Sequence, residues 1–150
     1  MSLVDGHKGF GQVIAARAMD RAIAKARDIG IGMVGVRHSN HLGITAYHAM
    51  RASAQRMIGL CLTNAGPEMA PWGGITPTIG TNPWGIAAPT DLGFPLVLDM
   101  ALSTSGKGMI RWHLREEKPV PTDWAYDRDC LLYTSPSPRD ISGSRMPSSA

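Results

Sequence analysis

Two histidines stand three residues apart in the segment Val36–Gly43, VRHSNHLG, and a third follows at His48. Imidazole titrates near neutral pH, so a histidine can bind a metal ion or transfer a proton. Zinc sites usually need three or four protein ligands, and no cysteine or carboxylate stands at ligand spacing beside His38 and His41. The spacing of these histidines favours a general acid or base over a metal site. It leaves open a third interpretation, in which the loop has no chemical role and its histidines are solvated or packed.

A glycine cluster, GHKGFG at Gly6–Gly11, directly precedes a helical pattern. Glycines before a helix N-terminus can cradle a phosphate group. However, no strand pattern precedes this cluster, and no acidic residue ends a second strand about 20 residues further on, as dinucleotide-binding glycine motifs require. We therefore expect the cluster to form a turn.

Apolar periodicity predicts the elements that position the histidines. Gln12–Asp28 has the repeat of an amphipathic helix, and Gly30 supplies a stop signal. Ile31–Val36 is predicted as a buried strand, Thr45–Arg56 as a second helix and Ile58–Thr63 as the next strand. Because a crossover helix joins the two strands, we expect them to be adjacent and parallel. The histidine loop would then lie at the carboxyl end of a parallel strand, where open α/β sheets bind ligands.

The second half of the chain begins with a long loop, Asn64–Pro83, which is rich in proline and glycine. Loops of this length are uncommon in compact domains and are often functional. Strands are predicted at Gly85–Ala88 and Pro95–Met100, and a short helix at Lys107–Arg115. The predicted class is α/β, with a mixed or largely parallel sheet, flanking helices and further strands outside this chain.

Composition excludes several classes of protein. The 150 residues are 43% hydrophobic and 18% charged, as in ordinary globular proteins. The net charge of +3 is scattered and forms no basic stripe, which argues against a nucleic-acid partner. No apolar run is long enough for a membrane span, and no signal peptide is visible. Two cysteines make a weak case for a disulfide, so we expect a reducing cytoplasm.

The sequence changes character at Cys130, from which serine, proline and arginine dominate and apolar periodicity ends. This composition is typical of a disordered tail. Cys130–Asp140 and Ser144–Ala150 also resemble a translated transposase-type sequencing adapter. We predict that residues 130–150 are non-native or disordered, and that residues 1–129 are a fragment of one domain. The DNA sequence TGTCTCTTATACACATCT at Cys130 would confirm the adapter.

A series of motifs occurs in one order between Val4 and Asp127. They are DGHKGFGQ at Asp5–Gln12, SNHLG at Ser39–Gly43, APWGG at Ala70–Gly74, GTNPWGIAAP at Gly80–Pro89, LDMALS at Leu98–Ser103 and KPVPTDWAYD at Lys118–Asp127. Together they resemble the malate/L-lactate dehydrogenase family, which includes ureidoglycolate and sulfolactate dehydrogenases. The resemblance implies a non-Rossmann fold and an NAD(P)-dependent oxidoreductase acting on a small 2-hydroxy acid or its 2-oxo partner.

The resemblance also implies the roles of individual residues. His41 is then the catalytic histidine, which takes the hydroxyl proton as hydride leaves the same carbon, and returns it in the reverse direction. Asp99, Met100 and Ala101 match the segment that contacts the cofactor, NAD or NADP. Ala65 falls where relatives often have a serine that touches the cofactor. The weaker matches to the same pocket are Asn64, Thr81 and Asn82.

Members of this family begin with a further N-terminal region and continue past the point where this chain ends. We therefore expect the 150-residue fragment to be inactive, and the full-length parent to be an active homodimer. Two alternatives remain. One is a metal-dependent hydrolase or small-ligand α/β domain that uses His38, His41 and His48, and the other is a non-catalytic α/β interaction module.

Overall fold

The computed structural model describes residues 1–71, 74 and 76–125. These residues divide into two compact units. Unit 1 comprises Met1–Thr63 and Trp84–Met100, and unit 2 comprises the described part of residues 64–83 and 101–150. The predicted non-native tail, residues 130–150, lies outside the described residues.

Unit 1 begins with a strand–helix–strand crossover. Strand β1 (Ser2–Asp5) is followed by helix α1 (Gly11–Ile29) and by strand β2 (Val34–Arg37), which pairs with β1 in parallel. Helix α1 ends as predicted at Gly30, whose left-handed φ of 86° lets its N–H donate to the carbonyl of Ala26 at 2.8 Å. The histidine loop therefore follows the carboxyl end of a parallel strand.

The rest of unit 1 is a helix packed on an antiparallel sheet. Helix α2 (Thr45–Ser53) precedes strands β3 (Gly59–Leu62), β4 (Trp84–Ala88) and β5 (Leu96–Met100), whose spatial order is β3-β4-β5. The first turn of α2 lies close to the sheet at Gly85, where a Cβ atom would stand 2.8 Å from the second backbone nitrogen of the helix. A glycine inside a strand marks such an approach.

The predicted parallel pairing of strands 31–36 and 58–63 is wrong. The first of them, β2, pairs with β1, and the second, β3, pairs with β4 in antiparallel fashion. The cause is β1, whose four residues are too few for a recognisable alternation, so no strand was predicted before the glycine cluster. The observed crossover between parallel strands runs through α1, whereas the predicted crossover ran through the next helix, α2.

Unit 2 forms around helix α3 (Lys107–Arg115), which has the predicted bounds. The long loop between β3 and β4 contributes an antiparallel bridge that pairs Met69 with Ile79. Met69 packs with the buried side chains of Ile110, Val120 and Ala125. A small apolar core therefore fixes the loop to α3 within this unit.

The α/β class is confirmed, because helices occur together with a parallel and an antiparallel sheet. Within residues 1–71, 74 and 76–125, no helix has both the length and the apolar character that crossing a bilayer demands.

Candidate functional site

The loop that carries His41 is attached to the glycine turn between β1 and α1. The side-chain amide of Asn40 donates to the carbonyl oxygens of Lys8 at 2.7 Å and Gly9 at 3.0 Å. In return the Lys8 N–H donates to the carbonyl of His38 at 2.7 Å. The glycine cluster is a turn, as expected, and its backbone supports the N-terminal side of the histidine loop.

The start of helix α1 also lies against this loop. A Cβ atom on Gly11 would stand 2.1 Å from the carbonyl oxygen of Asn40 and 2.3 Å from that of His41. No side chain fits at such distances without displacing the main chain. Gly11 therefore lets the first residue of α1 contact the His41 peptide directly.

His38 is engaged by Asp5 rather than by the other histidines. The Asp5 carboxylate accepts hydrogen bonds from the His7 backbone N–H at 3.0 Å, from Arg37 Nε at 3.1 Å and from His38 Nδ1 at 3.0 Å. The backbone bond from His7, followed by the bond from His38, lowers the Asp5 pKa from 3.8 to about 2. Asp5 is thus a carboxylate at neutral pH and fixes the orientation of the His38 ring.

Asp99 binds the N-terminus of α2. Its carboxylate accepts from Thr45 Oγ1 at 2.5 Å and from the Ala46 N–H at 2.9 Å. The residue before the helix, Ile44, has no side-chain acceptor of its own, so β5 supplies the negative group that a helix N-terminus favours. Each carboxylate oxygen has more than one acceptor position, so these bonds leave room for a further donor.

Cys61, Gly85 and Asp99 form one row across the antiparallel sheet. Because Gly85 has no side chain, the first turn of α2 fits against the sheet between Cys61 and Asp99. Burial and the charge of Asp99 both raise the pKa of the Cys61 thiol. Cys61 is therefore a protonated packing residue at neutral pH and not a nucleophile.

The three histidines of the metal alternative have separate environments. His38 binds Asp5, whereas His48 is buried in α2 and bonds through Nε2 to the carbonyl of Leu42 at 2.9 Å. Among the described residues, no group of three or more His, Cys, Asp or Glu side chains is placed to hold a metal ion. The arrangement gives the metal alternative no support.

His41 itself is exposed on its loop. Within the part of the chain that the structure describes, its imidazole has no hydrogen-bond partner, although the main chain on either side is fixed. Both ring nitrogens are therefore available to an incoming molecule. An accessible imidazole on a fixed backbone suits proton exchange with a substrate.

Several of the predicted cofactor residues meet in unit 2. The Ala65 N–H donates to Oδ1 of Asn82 at 3.0 Å. The carbonyl of Thr81 accepts from the N–H of Leu102 at 2.8 Å, and Leu102 directly follows Ala101. The structure thus brings Ala65, Thr81 and Asn82 together beside the end of the predicted DMA segment.

The cluster contains neutral hydrogen-bonding groups of the kind that a nicotinamide dinucleotide would need. Gly80 lies so close to Ala65 that a Cβ atom would stand 2.2 Å from its carbonyl oxygen, which keeps the main chain compact. Thr81 supplies a hydroxyl group, and Asn82 and the exposed Asn64 supply carboxamides. Such neutral polar groups bind ribose hydroxyls and carboxamides. Asp99 and the exposed Met100, which end β5, belong to unit 1.

The sequence singled out His48 only as a candidate metal ligand, and it did not indicate that Asp5 or Gly11 contacts the histidine loop. The sequence nevertheless contained two signals, one for the anchoring of α2 and one for the close approach of α1 to the loop. Ile44 offers no cap to a helix that starts at residue 45, which indicates an acceptor from elsewhere in the chain. A glycine at the first helical position indicates a close backbone neighbour.

Comparison with known proteins gives one consistent result. The profile described as malate/L-lactate dehydrogenase matches residues 1–148. Malate dehydrogenase of Pyrococcus abyssi is 48% identical over 83% of this chain, and the (2R)-3-sulfolactate dehydrogenase (NADP(+)) of Chromohalobacter salexigens is 34% identical over 96% of it. The crystal structure of malate dehydrogenase from Entamoeba histolytica superposes with a TM-score of 0.90 at 34% identity, covering 97% of this chain. The chain spans 34%, 43% and 42% of these three proteins respectively.

Proposed function

This chain belongs to the malate/L-lactate dehydrogenase family, and we propose that the whole protein is an oxidoreductase that interconverts a 2-hydroxy acid and a 2-oxo acid. Relatives that carry the names malate dehydrogenase and sulfolactate dehydrogenase support this class of substrate. The observation that carries the proposal for this chain is His41, an exposed imidazole on a loop whose main chain is fixed on both sides.

His41 acts as the general acid and base. In the direction of oxidation, a ring nitrogen of His41 accepts the proton of the substrate hydroxyl group while the carbonyl forms at the same carbon. In the direction of reduction, the imidazolium returns this proton to the oxygen. Imidazole can both accept and return a proton, which suits both directions.

A nicotinamide cofactor, when bound, supplies or accepts the hydride. Ala65, Thr81 and Asn82 would hold it, together with Asn64 and Ala101, all of which belong to unit 2. Asp99 and Met100 belong to unit 1, and their assignment to the cofactor rests on the resemblance to the family alone. The name of the Chromohalobacter salexigens relative includes NADP(+), which makes NADPH a necessary part of any cofactor test. A cytoplasmic homodimer of the full-length protein belongs to the same proposal, and light scattering at several concentrations tests the dimer.

The experiment is an activity assay of the full-length protein that contains this chain. Malate, lactate and sulfolactate, with their 2-oxo counterparts, are tested with both nicotinamide cofactors by following the absorbance of the reduced form. His41→Gln removes the titratable ring, and we expect it to lower kcat by about 100-fold or more, within the range of general acid–base catalysis.

The neighbouring histidine provides the matched variant. His38→Gln changes a ring that bonds to Asp5, and it should cost far less turnover than His41→Gln. A metal-dependent hydrolase would instead lose activity with either variant and would retain stoichiometric zinc during purification. Unchanged turnover in His41→Gln would refute the role of His41 and would favour a non-catalytic module.

A further inference from the structure

We infer that His48 is a positioning residue, which holds His41 through the main chain between them. His48 lies in the first turns of α2, and its Nε2 is 2.9 Å from the carbonyl oxygen of Leu42. Leu42 is the residue directly after His41. This inference rests on the proposed function of His41 as the proton-transferring group.

The bond fixes the protonation of the ring. A carbonyl oxygen can only accept, so Nε2 carries the hydrogen and donates it. His48 is 1% exposed, and its Nδ1 is buried without a hydrogen-bond partner among the described residues. An imidazole buried with only one of its nitrogens bonded costs free energy. A purely apolar ring would fill the same space without this cost, so the hydrogen bond to Leu42 is what distinguishes His48 from such a ring.

The position of this bond explains what it does. The main chain between Leu42 and α2 passes through Gly43, whose φ of 83° lies in the left-handed region open to glycine. The hydrogen bond between His48 and Leu42 spans this bend and connects the helix to the residue that follows His41. Helix α2 is itself anchored to the sheet by Asp99. A continuous path of bonds therefore leads from β5 through α2 and His48 to the His41 loop.

The other attachments of the loop lie on its opposite side. Asn40 bonds to the glycine turn, and Gly11 contacts the carbonyl oxygens of Asn40 and His41. Within the described residues, His48 provides the side-chain hydrogen bond that holds the loop after His41. Without it, the peptide that sets the direction of the His41 ring is held at one end, and the ring samples a wider range of orientations.

Two variants of the full-length protein separate positioning from packing. His48→Phe keeps an aromatic ring but removes the donor, and His48→Gln keeps an N–H at a similar distance from the main chain. We expect His48→Phe to lower kcat by about 10- to 100-fold, as misplacement of a catalytic group by about 1 Å does. KM for the 2-oxo acid should change by less than about threefold, and His48→Gln should recover most of the lost kcat.

His113 supplies a matched control. It also bonds to a backbone carbonyl six residues away, from Nδ1 to Pro119 at 2.7 Å, but it lies in unit 2 on α3. His113→Phe removes the same type of bond, and we expect kcat to stay within about twofold of the wild type. An equal loss in both variants would mean that any broken imidazole–carbonyl bond impairs the protein, and it would overturn the inference.

A double variant tests whether His48 acts through His41. In the His41→Gln background the ring to be positioned is gone, so adding His48→Phe should lower the residual kcat no further. A full additional loss would overturn the inference and leave His41 as the acid–base group. If His41→Gln alone retains wild-type turnover, it is the proposed role of His41 that fails.

A measurement on the wild type covers the case in which the His48 variants do not fold. The bonded Nε2–H of a buried histidine exchanges slowly with solvent and gives a resolved proton signal correlated with its ring nitrogen in NMR spectra. We expect this signal for His48, with Nδ1 free of hydrogen. A ring protonated at Nδ1 alone could not donate to Leu42, and that result would overturn the inference.

Discussion

Replacement of Gly11 by alanine is the most direct perturbation of the His41 loop, because it changes neither charge nor any functional side chain. The new Cβ atom would stand 2.1 Å from the carbonyl oxygen of Asn40 and 2.3 Å from that of His41. Protein Cβ atoms essentially never approach other atoms within 3.0 Å, so the Asn40 carbonyl must withdraw by at least about 0.9 Å (3.0 minus 2.1). The loop has to move away from α1, and His41 moves with it.

Both stability and turnover follow from this displacement. Overpacking costs about 1–3 kcal/mol, and the higher helix propensity of alanine returns at most about 1 kcal/mol. We therefore expect a loss of about 0–2 kcal/mol in the free energy of unfolding, which leaves the protein folded. A displacement of a catalytic group by about 1 Å can cost on the order of 100-fold in rate, so kcat should fall much more than stability does.

The assay compares kcat, KM and the urea-unfolding midpoint of Gly11→Ala in the full-length protein. Gly108→Ala is the matched control, because Gly108 also lies in the first turn of a helix, α3, and a Cβ there meets nothing within 4 Å. That control should be more stable by about 0.5–1 kcal/mol, with unchanged kcat. A folded Gly11→Ala variant with kcat within about twofold of the wild type would refute the idea that turnover depends on the position of this loop.

Three further predictions concern unit 1. Asp99→Asn removes the negative charge at the N-terminus of α2 and should lower the free energy of unfolding by about 1–2 kcal/mol in denaturant titrations. The Asp5 pKa of about 2 lies below its ordinary value of 3.8, so this carboxylate stabilises the fold above pH 3.8, and the stabilisation disappears as the pH falls towards 2. In Asp5→Asn the unfolding midpoint should lose this pH dependence. The 150-residue chain should bind the dye ANS on the face of β3–β5 opposite α2, where Leu60 is 52% and Leu98 44% exposed, and lysine at both positions should abolish much of the fluorescence.

Local patterns predicted the helices well, because their signals lie within a few residues. The apolar repeat and Gly30 set the extent of α1 to within one residue at each end, and Lys107–Arg115 was predicted with its observed bounds. Helix α2 ends at Ser53 rather than at Arg56, since the following residues form tight turns in which the Gln55 and Arg56 N–H groups donate to Ala52 and Ser53. Termini of helices are less certain than their existence for this reason.

Strand pairing was predicted poorly, because it depends on residues far apart in the sequence. The four residues of β1 carry little periodicity, yet their pairing with β2 determines which strand neighbours the histidine loop. Asp99 and His48 were named as candidates for other roles, and their support of the His41 loop was missed for the same reason. Asp99 and Thr45 are 54 residues apart, and only the sheet brings the carboxylate to the helix.

Asp99 has two proposed roles, one in binding the cofactor and one in supporting the His41 loop. The resemblance to the family places Asp99 in the cofactor segment, whereas the structure uses its carboxylate to anchor the helix whose His48 holds the His41 loop. A lower kcat in Asp99→Asn therefore has two possible origins, which kinetics can separate. If the carboxylate binds the cofactor directly, the KM for the nicotinamide cofactor rises; if it acts through α2, kcat falls while that KM is maintained. Gly85 is the neighbour of Asp99 in the same row, and a Cβ atom there would stand within 3.0 Å of Thr45 and Ala46, whose groups donate to Asp99. A Gly85→Ala variant keeps the carboxylate but displaces α2 from it, so it should reproduce the second effect and not the first.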